Sequence, residues 1–126
     1  MHIYRGAPFA ERLQLPTVLG HEMSGLIDTV GAGVKLVRPG DFVAVESHIA
    51  CVACRSCRTA RAQICPHTRY PGIDLDGGFA HFVVLPEQIA MPLPSDIEPQ
   101  IATLFEPFRI AVHACHKAAA SLVRTH

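Results

Sequence analysis

The chain has 126 residues and a mass of 13.7 kDa, with 49% hydrophobic residues and eleven basic against eleven acidic side chains. That length supports about one domain with one core, and the even charge sets up no overall field to draw nucleic acid or an anionic membrane surface. No stretch approaches the roughly 20 apolar residues needed to span a bilayer, and the opening MHIYRGAPFAERLQ has neither a basic nor an apolar signal region, so a soluble cytoplasmic protein with no membrane and no nucleic-acid partner is expected.

Ten prolines and nine glycines punctuate the apolar residues at short intervals, which suits a mainly β fold of short strands and turns better than a helix bundle. In chain order, SGLIDTV (24–30) and DFVAV (41–45) read as a hairpin-like pair of strands, the second entered through the turn RPGD. Between them VGAGVK carries Gly31 and Gly33 but no third glycine. A turn and a strand follow rather than a helix, so the segment reads as an ordinary turn and not as a dinucleotide fingerprint. FAHFVVLP (79–86), entered through Gly77-Gly78, is the third expected strand, and all three are expected to be buried. From Asp96 onward Ile97, Ile101, Leu104, Phe105, Phe108 and Val112 follow the spacing of an amphipathic helix with Asp96 as N-cap. Pro107 is expected to end or kink that helix near Glu106, because proline lacks the N–H and clashes with the preceding turn.

Four of the five cysteines crowd into ESHIACVACRSCRTARAQIC as C-x2-C-x2-C-x7-C: Cys51, Cys54, Cys57 and Cys65. Two intervening residues let the backbone curl so that successive thiolates converge on one ion at about 2.3 Å, and four thiolates close the tetrahedral shell of a structural zinc. Arg55, Arg58 and Arg61 are interleaved where they can offset the negative charge of such a site. Disulfides, an iron–sulfur cluster and a nucleic-acid zinc module are the rival readings. A reducing compartment disfavours the first, the C-x7-C-P ending departs from the common bacterial cluster spacing, and the neutral overall charge argues against the third.

Further upstream, LPTVLGHEMSG sets His21 beside Glu22, a borderline and a hard ligand that a catalytic zinc accepts; a buried histidine next to a salt-bridged glutamate is the plainer alternative. Taken in order, G-H-E, the P-G-D turn, the cysteine lobe, G-G-F-A and LFEPFRIAVHA resemble the GroES-like catalytic domain of the medium-chain zinc-dependent alcohol dehydrogenases, most of all the threonine 3-dehydrogenase and sorbitol dehydrogenase branch. The resemblance covers residues 1–116, with 46–70 as the structural zinc lobe and 117–126 as a tail. It implies a GroES-like irregular β-barrel with a zinc-binding loop and a C-terminal helix, and oxidation of a small secondary alcohol such as L-threonine or a polyol by hydride transfer to NAD or NADP. It further implies His21 and Glu22 as ligands of a catalytic zinc, Glu106 of FEPF assisting proton relay or metal exchange there, and His2 of the HIY segment in a charge relay. His48, His67, His81, His113 and His116 are read as surface or packing residues.

The chain departs from that pattern at both ends. The cysteine that the family places upstream of H-I-Y is absent, Arg109-Ile110 stands where glycine-asparagine is usual, and no nucleotide-binding βαβ unit follows. A truncated relative is therefore expected, inactive by itself, with a weakened catalytic zinc site and a tendency to self-associate through unpaired strand edges. A non-catalytic, zinc-stabilised binding or scaffolding module is the alternative, and the resemblance leaves a homo-oligomer open.

Overall fold

The computed structural model describes residues 10–123, with side chains through residue 119. Its regular β structure is one three-stranded antiparallel sheet in the order β1-β2-β3, formed by Ser24–Leu26, Phe42–Val45 and Ala90–Pro92. The central strand is Phe-Val-Ala-Val, whose β-branched residues suit a pleated, covered surface. Val43, Ala44 and Val45 are all buried and form the core with Val37, Ile73, Ile89 and Ala102. The register pairs Ala44 with Ser24 on one side and with Met91 on the other. Pro92, which cannot donate to a ladder, sits at the end of edge strand β3.

The expected pairing of the first two strands is present, although β1 stops at Leu26. Residues 27–41 make an excursion that returns through Pro39-Gly40. Gly40 has φ 89°, the left-handed value that the third position of a type II turn requires, and Asp41 N–H closes the turn on Arg38 O at 3.1 Å. The Gly31–Val34 segment is a turn, closed by Val34 N–H on Gly31 O at 3.1 Å. Glu87 tethers the excursion by accepting from the backbone N–H groups of Lys35 and Leu36, each at 2.7 Å.

Residues 79–86 do not form the expected strand. The third strand is Ala90–Pro92 instead, and Phe79, Phe82 and Val84 are 79%, 76% and 92% exposed. Strand propensity alone does not hold a segment in a sheet: its N–H and C=O groups need a neighbouring ladder, and β2 is already paired on both sides.

The helical region also differs from expectation. The short α2 spans Pro99–Ala102 with Glu98, not Asp96, at its N-cap. The 19-residue α3 runs from Phe105 to Val123, so residues 117–123 continue a helix rather than forming a tail. Pro107 does not end α3. It lies in the first turn, where the missing N–H would have had no intrahelical partner. No helix among the described residues is long and apolar enough to cross a membrane.

Candidate metal centres

The cysteine lobe closes at its base through a backbone bridge. Ile49 and Arg69 each donate to the other's carbonyl, at 2.9 and 3.0 Å. Within the lobe, α1 (Arg55–Arg58) follows Val52, whose φ of 54° is left-handed and costly for a β-branched side chain. That turn brings Cys54 back onto Cys51, and Cys54 N–H points at Cys51 Sγ at 3.4 Å.

The four Sγ atoms form a cage, with separations of 4.0 Å for Cys51–Cys57, 3.6 Å for Cys54–Cys57, 3.8 Å for Cys54–Cys65 and 3.5 Å for Cys65–Cys51. Four sulfurs bound tetrahedrally to one zinc at about 2.3 Å lie about 3.8 Å apart, so the cage has the dimensions of a closed zinc–thiolate site. None of the four is in a disulfide. Different surroundings separate the proton affinities of two of them. Desolvation, followed by hydrogen bonds from the other three thiols, pushes Cys57 up to about 12. Hydrogen bonding to the backbone at Cys51 draws Cys65 down to about 6, helped by the backbone at His67. Arg55, Arg58 and Arg61 stand exposed around the lobe.

A second cluster joins residues far apart in the chain. His21, Glu22 and Glu106 each offer one donor atom, and these atoms lie within 4.8 Å of one another. His21 is half-buried, Glu22 is exposed, and the Glu106 side chain keeps only 10% exposure. The first two residues are placed by a glycine junction. Gly77 N–H donates to Val18 O at 2.8 Å, Phe79 N–H to Leu19 O at 2.9 Å and Gly78 N–H to Gly20 O at 2.9 Å, while Asp76 Oδ1 accepts from Val18 N–H at 2.9 Å. A Cβ on Gly77 would collide with Gly20 O, and one on Gly72 would stand 2.6 Å from Gly20 N, so this meeting of strands of backbone requires glycine. Val45 N–H then donates to Met23 O at 3.0 Å and carries the segment into β1. Glu106 arrives from the first turn of α3. An imidazole nitrogen with two carboxylates is a donor set that divalent zinc accepts, and three ligands leave a coordination position open for water or substrate.

Four residues around this cluster, Glu46, Ser47, His48 and Arg109, were given no role at it from the sequence. Buried Ser47 donates its hydroxyl to Glu106 Oε1 at 2.9 Å. Arg109, one helical turn beyond Glu106, places Nη2 at 3.2 Å from both Glu106 Oε1 and Glu46 Oε1, and its Nε is buried without a partner. His48, read from the sequence as a surface or packing residue, packs its ring edge-on against Tyr70 at 4.8 Å, and its Nδ1 lies 2.7 Å from Glu46 Oε1 and 2.9 Å from Arg109 Nη2. One ring nitrogen can donate to the carboxylate or accept from the guanidinium, not both at once. The only trace of this network in the sequence is Arg109 itself, which interrupts a familiar motif. His67, His81, His113 and His116 are exposed, as expected, and His2 lies outside the described residues.

Residues 1–95 match the family model described as the alcohol dehydrogenase GroES-like domain. The chain is 38% identical over 114 residues to an L-threonine 3-dehydrogenase of Anaeromyxobacter sp. (strain Fw109-5), covering 90% of this chain and 33% of that protein. Among solved structures it is similar to galactitol-1-phosphate dehydrogenase from Escherichia coli, with TM-score 0.82, 33% identity and coverage of 94% of this chain and 34% of the other. It is also similar to an alcohol dehydrogenase of E. coli CFT073 complexed with NADH, with TM-score 0.76, 38% identity and coverage of 88% and 32%. The chain thus spans about a third of the length of the relatives it matches. With residues 1–95 matched by that family model, the chain belongs to the family of alcohol dehydrogenase GroES-like domains.

Proposed function

We propose that this chain is the catalytic-domain part of a zinc-dependent dehydrogenase that oxidises a small secondary alcohol, such as L-threonine or a polyol, with NAD(P) as hydride acceptor. The observation that carries this reading is the pair of donor sets with different chemistry. One is a closed cage of four sulfurs at 3.5–4.0 Å along four of its edges, and the other is an open nitrogen–oxygen cluster within 4.8 Å. Cys51, Cys54, Cys57 and Cys65 hold a structural zinc, with no position left for substrate. His21 and Glu22 hold the catalytic zinc, which when bound supplies Lewis-acid polarisation of the alcohol oxygen. Glu106, oriented by the Ser47 hydroxyl, accepts the proton or serves as the exchangeable carboxylate. His2 is assigned to the outward relay of that proton. The substrate class is supported by the relatives named L-threonine 3-dehydrogenase and galactitol-1-phosphate dehydrogenase. Among the described residues there is no nucleotide-binding βαβ unit, so the nicotinamide nucleotide has to be held by protein outside them, and residues 10–123 alone are expected to be inactive.

Native mass spectrometry in reducing buffer tests the assignment. The expected result is two zinc ions per chain before mild chelation and one after it. Cys54→Ser should lose the tightly held ion, whereas Glu106→Ala should keep it and lose the second. Release of the tight ion by Glu106→Ala would show that the two sites are not separate, and a single zinc under all conditions would favour a zinc-stabilised binding or scaffolding module.

A further inference from the structure

We propose that Arg109 is a positioning residue that weakens and makes exchangeable the divalent ion of the His21–Glu22–Glu106 cluster, by holding its own positive charge against Glu106. This rests on the metal-site reading above. The guanidinium reaches Glu106 Oε1 at 3.2 Å and Glu46 Oε1 at 3.2 Å, so it is already the counter-cation of two carboxylates at the site. Its Nε is buried with no partner, so the group is held in place by the charges it faces rather than by a full set of hydrogen bonds.

Orientation and charge are separable here. Ser47 donates to the same Glu106 oxygen at 2.9 Å, so Glu106 stays aimed when Arg109 is removed. Nothing replaces the positive charge at Glu106, and Glu46 keeps only its contact with His48, whose Nδ1 lies 2.7 Å from Glu46 Oε1. A divalent ion entering the cluster is repelled by the guanidinium and competes with it for Glu106. Removing the charge therefore tightens metal binding, opposite to the effect of losing a supporting hydrogen bond.

The test uses the full chain with one zinc in the four-cysteine cage. It is titrated with cobalt(II) in reducing buffer and followed by equilibrium dialysis and by the visible cobalt spectrum. Arg109→Gln is expected to bind cobalt roughly tenfold more tightly than wild type, and Arg109→Lys, which keeps the charge, should stay close to wild type. Retention of the cage zinc reports folding, and Arg109→Met serves if the glutamine variant fails that check. Equal or weaker binding by the neutral variants, or equal tightening by lysine, overturns the inference alone. Absence of a second ion from every protein, wild type included, overturns the metal-site reading and the inference with it.

Discussion

Cys57 and Cys65 occupy one cage yet hold their protons very differently, near 12 and near 6. A metal must displace every proton still on its ligands. Above about pH 6 Cys65 is already a thiolate, whereas Cys57 gives up a proton at any ordinary pH. The logarithm of zinc affinity should therefore fall with acid throughout, and its slope against pH should steepen by about one proton on going below pH 6. Chelator-competition titrations from pH 5 to 8 measure this, and an unchanged slope through pH 6 would place the shared charge elsewhere in the cage. At this scale the sequence was most legible where the chemistry is local. C-x2-C-x2-C puts three thiols on one curl of backbone, and spacing alone predicts their convergence. Glu46, Ser47, His48 and Arg109 were not legible, because 61 positions separate Arg109 from His48 and only the packing of α3 against β2 brings them together.

Elements succeed or fail by their partners. β2 was readable because its valines are covered and both of its edges are paired, while 79–86 has the same residue types but is not in the sheet, and Phe79 N–H bonds Leu19 O instead. The start of α3 was misplaced because proline was weighed as an interior breaker, and its effect depends on lying in the first turn. Glycines were read as turn punctuation, yet Gly20, Gly72 and Gly77 form a junction whose purpose is close backbone approach. Gly77→Ala forces its new methyl onto Gly20 O and should cost about 1–3 kcal/mol as an overpacking substitution. Because the displaced backbone leads directly into His21-Glu22, the second metal should also be lost while the cage keeps its own. Thermal unfolding together with metal content checks both outcomes, and loss of the cage metal instead would show that the junction supports the whole chain.

The described residues bury a small core and leave much apolar surface in solvent: Phe79, Phe82 and Val84 on one segment, Leu104 between α2 and α3, and Phe108 and Ile110 on α3. Contiguous exposed apolar area drives association, so the 126-residue chain should sediment as concentration-dependent oligomers. Phe82→Ser should shift it toward monomer, and sedimentation velocity over a hundredfold concentration range decides this. The order of motifs made the family legible at this scale, but the extent of uncovered surface was not, since apolar spacing on 97–112 reads the same whether or not a partner lies against it. The bridge between Ile49 and Arg69 has a further consequence. Because the two ends of the cysteine lobe are clasped side by side, a change in the length of the lobe between them is expected to leave the register of β1, β2 and β3 as it is.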